Sequence, residues 1–102
     1  MTQPRADIGV IGLAVMGRNL ILNMDDHGFT VAAYNRTTER VDEFIADEAA
    51  GTNVIGVRSL EELVSVLKPP RRVLLMIKAG VPVDATIDAL MPLLDEGDII
   101  LD

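Results

Sequence analysis

Cysteine is absent from the 102 residues. That removes disulfide scaffolds and cysteine-based zinc sites. Histidine occurs once, so no multi-histidine metal centre can assemble. Basic residues are in short supply, with nine Lys and Arg against 16 Asp and Glu, for a formal charge of −7. They form no basic run, which argues against nucleic acid as a partner. No uninterrupted apolar stretch approaches the ~20 residues of a membrane span. The opening Met1-Thr2-Gln3-Pro4-Arg5-Ala6-Asp7 lacks the long apolar segment of a secretion signal. Repeats, low-complexity tracts and linkers are missing too. What is present is 49% apolar and 25% charged residues, the balance of a folded globular unit rather than a disordered chain. These features point to one acidic, cytoplasmic domain over residues 1–102.

Two periodicities alternate along the chain. Ile8-Gly9-Val10-Ile11 is a short apolar run suited to a strand buried on both faces. Met16 to His27 follows as a helix, with Met16, Leu20 and Met24 at helical spacing and Gly28 as its C-terminal cap. Thr30 to Tyr34 reads as a second strand. Val41, Phe44, Ile45 and Ala49 mark one face of a second helix, which Thr37 or Thr38 caps. Asn53 to Val57 suits a short strand. Ser59-Leu60-Glu61-Glu62 matches a capping box, and Leu60, Leu63, Val64 and Leu67 form the stripe of the helix it opens. Pro69-Pro70 ends that helix. Val73 to Ile77 is the most apolar run and reads as a central parallel strand. Pro82 sits in the first turn of a helix whose apolar face is Val83, Ile87, Leu90, Met91 and Leu94. After a turn at Glu96-Gly97-Asp98, Ile99-Ile100-Leu101 begins another strand. The alternation predicts an α/β fold: a Rossmann-type, doubly wound parallel sheet with helices on both faces, cut after its fifth or sixth strand. The chain ends at Asp102, where such a sheet would place a further ligand loop.

Gly12-Leu13-Ala14-Val15-Met16-Gly17 approximates G-x-G-x-x-G, with Ala at the middle glycine, between the first strand and the first helix. Gly12 suits a tight turn, and Gly17 lets the helix lie close on the strand. The free N–H groups of the helix start, and its dipole, favour a pyrophosphate there. A tight turn without a ligand is the plainer alternative. Where NAD-binding folds carry Asp or Glu, about 20 residues beyond the loop, this chain has Asn35, followed by Arg36 and Thr37. An amide does not repel a 2′-phosphate, and Arg36 can give it paired charge-assisted hydrogen bonds. The trio favours NADP over NAD, unless Asn35 and Thr37 serve as caps and Arg36 as a solvated charge. Ile77-Lys78-Ala79-Gly80 is a second candidate ligand loop, with Lys78 near a phosphate or ribose. His27 and the Asp25-Asp26 pair read as a solvated helix end, and Met16, Met24, Met76 and Met91 as core. No residue stands out as a general base.

Taken together, Asp7 to Leu20 closely resembles the opening of the 6-phosphogluconate dehydrogenase family. Asn23-Met24, His27-Gly28-Phe29, Tyr34-Asn35-Arg36-Thr37, Pro70-Arg71-Arg72, Ile77-Lys78-Ala79-Gly80 and Gly97 to Asp102 extend the match. Ala14 is that family's usual residue at the middle glycine. The resemblance implies oxidation of the 3-hydroxyl of 6-phosphogluconate by NADP, then loss of carbon dioxide to give ribulose 5-phosphate, in a cytoplasmic homodimer of the pentose phosphate pathway. It places cofactor contacts at Gly12, Leu13, Ala14, Val15, Met16 and Gly17, at Asn35, Arg36 and Thr37, and at Ile77, Lys78 and Ala79. The family's Gly-Gly-Asn segment, catalytic lysine and glutamate, and large helical domain would all lie beyond Asp102, so no catalytic residue is expected here. Two alternatives share the loop: another β-hydroxyacid dehydrogenase of the 3-hydroxyisobutyrate type, and a stand-alone nucleotide-binding module without catalysis.

Overall fold

A computed structural model describes residues 4–77 and 81–101. Five strands form one sheet: β1 (Ile8–Ile11), β2 (Val31–Tyr34), β3 (Ile55–Gly56), β4 (Arg72–Leu75) and β5 (Ile99–Leu101). Their order is β3-β2-β1-β4-β5, and every pairing is parallel. The helices are α1 (Val15–Asp26), α2 (Thr38–Ala46), α3 (Leu60–Val66) and α4 (Val81–Leu90), the last continued by a 3-10 turn over Met91–Leu93.

Alternation along the strands sorts the core into two halves. Val10, Val31 and Ala33 face one side with Ile21 of α1 and Val41 and Phe44 of α2. Ile11, Ala32, Val73 and Leu75 face the other with Leu63, Val64 and Val66 of α3 and Val83 and Leu90 of α4. The expected doubly wound sheet is therefore present, with α1 and α2 on one face and α3 and α4 on the other. The order in which successive strands are added to the sheet reverses between β1 and β4. That is the switch point, outside whose carboxyl ends such folds bind ligands.

Local details depart from the sequence pattern where capping or proline intervenes. The buried stripe of α1 runs through Gly17, Ile21 and the half-buried Met24, not through Met16, which is exposed. Two backbone bonds close α1 around Gly28, at φ +92°: Gly28 N–H donates to Asp25 and Phe29 N–H to Met24. Helix α2 stops at Ala46, so Ala49 joins the core from the turn beyond it. Thr37 occupies the N-cap of α2 but gives no side-chain cap bond. At α3, Ser59 Oγ accepts the Glu62 N–H as expected, but the Glu62 carboxylate takes the N–H of Arg58 rather than that of Ser59. Pro92 lacks an N–H and tightens the end of α4. Met91 consequently points outward, and Leu94 is only half-buried. Met16 and Met91 are thus not core residues. Strand β4 spans Arg72–Leu75 rather than reaching Ile77. It is an interior strand, but β1 is the middle one.

The amino ends of the strands are tied by charge. Arg71, just before β4, donates from Nη1 to Asp98 (3.1 Å) and Asp95 (2.9 Å), and from Nε to the Val64 carbonyl at 3.2 Å. Asp98, just before β5, also accepts the backbone N–H of Arg71 (2.7 Å) and of Asp95 (2.8 Å). Its side chain is only 2% exposed. Burial acts to raise the Asp98 pKa, but the N–H groups of Asp95 and Arg71 and the guanidinium outweigh it, and the carboxyl is held below its ordinary value. Asp7, before β1, is lowered as well, chiefly by the Thr30 N–H it accepts at 2.8 Å, with help from Lys68.

A group whose folded pKa is depressed stabilises the fold above its unfolded pKa and loses that contribution as pH falls through the folded value. Asp98→Asn is therefore expected to lower stability at pH 7 by about 1.5–3 kcal/mol, the scale of hydrogen bonds to a charged group. It should also flatten the loss of stability below about pH 4, where unfolded carboxyls protonate. Urea unfolding at pH 7 and pH 3 checks both, and parallel acid limbs for variant and wild type would contradict the assignment.

Candidate functional site: a dinucleotide crevice

At the carboxyl end of the sheet, the chain leaves β1 through Gly12, whose φ of +114° is open to glycine and strained for other residues. Gly12 N–H donates to the Tyr34 carbonyl (2.9 Å), while Met76 N–H donates to the Ile11 carbonyl (2.8 Å). The loop is thereby pinned between β2 and the end of β4. A methyl group on Gly12 would collide with the Met76 carbonyl, and one on Gly17 would collide with the Gly12 carbonyl oxygen. Both glycines thus mark places where one backbone passes another too closely for any side chain.

The close approach sets α1 with its first turn over the switch point. Among the described residues, the N–H groups of Ala14, Val15, Met16 and Gly17 have no partner, and unpaired N–H groups at a helix start form an anion site. Val15 is 61% and Met16 73% exposed, so the rim of this site is apolar. Leu13 N–H is used differently: it donates to Asn35 Oδ1 at 3.0 Å. Arg18, one turn on, pairs with Glu48 beyond α2 and ties the two helices together.

Asn35 follows β2, and its Nδ2 donates to the Thr37 carbonyl at 3.1 Å. Arg36 and Thr37 are exposed, and among the described residues the Arg36 guanidinium has no ion-pair or hydrogen-bond partner. Asn35 and Arg36 line a cavity of about 300 Å³ with Ile11, Tyr34, Leu60, Ile77, Ala85, Thr86 and Ala89. Of the expected contacts, Asn35, Arg36 and Ile77 line this cavity, whereas Gly12 to Gly17 and Thr37 do not; the glycine loop is joined to it through the Leu13–Asn35 hydrogen bond. Lys78, Ala79 and Gly80 lie outside the described residues. The α3 and α4 residues of the cavity were missed. Their signal was the Ala85–Ala89 spacing, which leaves a groove of small side chains one helical turn long.

His27 sits at the opposite end of α1, where its Nδ1 lies 2.7 Å from the Asn23 carbonyl oxygen. Asp25 accepts the Asn53 N–H, a structural tie rather than half of an acid–base couple. Among the described residues, no cluster of His, Asp and Glu suited to a metal occurs, and no helix is long and apolar enough to cross a membrane.

A family model described as the NAD binding domain of 6-phosphogluconate dehydrogenase matches residues 7–102. The chain belongs to this family. Curated relatives include the decarboxylating 6-phosphogluconate dehydrogenases of Cunninghamella elegans, 66% identical over the whole chain, and of Homo sapiens, 63% identical over 96% of it. The chain spans about a fifth of their length, 21% and 20%. Among solved structures, 6-phosphogluconate dehydrogenase of Plasmodium falciparum superposes with a TM-score of 0.83 at 47% identity, over 93% of this chain and 21% of that one. An imine reductase from Bacillus cereus, at 22% identity and a TM-score of 0.72, shares the fold.

The NAD-binding domain so defined rests on the glycine approach. Gly17→Ala is expected to shift α1 off the loop and cost at least about 1–3 kcal/mol, the usual scale of overpacking. Ala14 is exposed, and Ala14→Gly should be nearly neutral. Thermal melts of both variants decide the matter, since equal melting temperatures would place the close contact elsewhere.

Proposed function

We propose that the chain is the cofactor-binding part of a decarboxylating 6-phosphogluconate dehydrogenase and that its dinucleotide is NADP. The observation that carries this reading is Arg36, which lines the cavity without a partner among the described residues, beside Asn35 where NAD-specific folds carry a carboxylate. The fit of a dinucleotide is supported by the backbone. Gly12 and Gly17 leave no room for side chains beneath the loop, and four unpaired N–H groups stand ready for a pyrophosphate. Gly12 to Gly17, Asn35 to Thr37, and Ile77 to Ala79 are the proposed contacts. The Plasmodium falciparum relative, whose study covers complexes with NADP+ and with 6-phosphogluconate, supports the choice of ligand.

The relatives' name defines the reaction proposed for the whole protein. The 3-hydroxyl of 6-phosphogluconate is oxidised, and carbon dioxide is then lost to leave ribulose 5-phosphate. NADP, when bound, accepts the hydride. This chain's part is to hold and orient it: the α1 start takes the pyrophosphate, and Arg36 and Thr37 the 2′-phosphate. A cytoplasmic homodimer of the pentose phosphate pathway is the matching setting. Oxidation also needs a base against the substrate hydroxyl. His27 lies at the far end of α1, which supports a base supplied by other parts of the enzyme.

Arg36→Ala is expected to weaken NADP binding about ten- to a hundredfold and to leave NAD binding nearly unchanged, as loss of a charge-assisted pair implies. Calorimetric titration of both dinucleotides into both proteins reads this directly, and equal losses would refute the role of Arg36. The 102-residue chain by itself should form no NADPH from 6-phosphogluconate. Absorbance at 340 nm against an equimolar full-length relative checks that, and turnover near the relative's rate would require a base within these residues.

A further inference from the structure

Asn35 makes two hydrogen bonds that lead in different directions. Its Oδ1 accepts from Leu13 N–H, inside the glycine loop, and its Nδ2 donates to the Thr37 carbonyl, at the start of α2. One orientation of the amide satisfies both, because an N–H requires an acceptor and a carbonyl a donor. Among the described residues, Leu13 N–H has no other partner, although Leu13 itself is almost fully buried. It is the first amide after Gly12 and lies next to the four that stay unpaired. Arg36 lies between Asn35 and Thr37, within the turn that the Nδ2 bond closes.

We propose that Asn35 is a positioning residue: a strut that fixes the pyrophosphate loop to the turn carrying Arg36, and not primarily a contact to the 2′-phosphate. The proposal rests on the dinucleotide reading above. The strut holds Leu13, the Tyr34 carbonyl at the end of β2 holds Gly12, and Met76, just past β4, holds Ile11, so the following amides keep their direction towards the crevice. It therefore serves any dinucleotide, with or without a 2′-phosphate. A residue acting only through the 2′-phosphate would affect NADP alone.

Asn35→Leu removes both bonds at nearly constant size, and Asn35→Asp keeps an acceptor for Leu13 but puts a carboxylate beside the Thr37 carbonyl. Each is titrated with NAD+ and NADP+ in the protein, and hydrogen exchange at the Leu13 amide is followed without ligand. In Asn35→Leu, NAD+ should weaken roughly five- to tenfold for the lost Leu13 bond and NADP+ by at least that factor, and the Leu13 amide should exchange faster. In Asn35→Asp, Leu13 protection and NAD+ affinity should return to at least the wild-type level, while NADP+ stays weak because two negative charges meet. A general loss of folding would not reproduce this split between ligands. Unchanged NAD+ binding or unchanged Leu13 exchange in Asn35→Leu overturns the strut, as does failure of Asn35→Asp to recover NAD+. A wild-type protein that binds neither dinucleotide instead overturns the function proposed above. In that case the Leu13 exchange still decides whether Asn35 braces the loop, and slow exchange unchanged by Asn35→Leu refutes it.

Discussion

Close approach of three backbone segments, at Gly12, Gly17 and Met76, governs the ligand-binding end of this molecule. Helix α1 can begin over the switch point only because nothing projects from Gly17 towards the Gly12 carbonyl, or from Gly12 towards that of Met76. Helix starts always leave N–H groups without internal partners. What is specific here is their direction, because the loop is held by Tyr34 on one side and by the end of β4 on the other. A rigid scaffold thus presents unsatisfied donors at one place, and a binding site of this kind requires that arrangement. The exposed Val15 and Met16 beside those donors fit a ligand that brings both charge and apolar surface.

Stability and ligand contact are separated along the strand direction. At the amino ends, carboxylates are consumed internally: Asp7 by Thr30 and Lys68, Asp98 by Arg71 and Asp95. At the carboxyl ends, Arg36 and the loop amides have no partner among the described residues. This division lets the acidic chain keep a cationic group unpaired at its crevice. Arg71 shows the contrast, since its guanidinium is 17% exposed and saturated by two carboxylates and a carbonyl. Two arginines in one small domain therefore stand in opposite settings, and their partners, not their residue type, distinguish them.

Much of this was legible in the sequence, for physical reasons. Strands buried on both faces leave continuous apolar runs, and the order of strand and helix leaves few topologies. The glycine loop was legible because close backbone approach excludes every other residue. Periodicity failed where it had to choose one face by one residue. Met16 and Gly17 are neighbours, and an apolar count favours Met16, but only Gly17 can be pressed against a carbonyl. Met91 failed differently, as Pro92 alters the helix after the apolar stripe has been established. The Arg71–Asp98 staple, spanning 27 positions, has no local signature, because pairing at that distance exists only after β4 and β5 are adjacent.

Position 35 shows why residue identity and residue role must be argued separately. The sequence reading valued Asn35 for a missing charge, which concerns the ligand. The structure adds that both ends of its amide are engaged within the protein, which concerns the loop. An aspartate would satisfy Leu13 equally well, so the Leu13 bond alone does not call for an amide. The Thr37 carbonyl needs a donor, and a carboxylate offers none at neutral pH. Charge and hydrogen bonding therefore favour the same residue from two directions. An amide leaves the crevice free of negative charge near Arg36 and keeps the α2 turn tied to the loop. A serine would be too short to span Leu13 and Thr37 together, and a glutamine would add a methylene to a distance already closed at 3.0 Å and 3.1 Å. Asparagine is the side chain that has the required length, carries both a donor and an acceptor, and brings no charge.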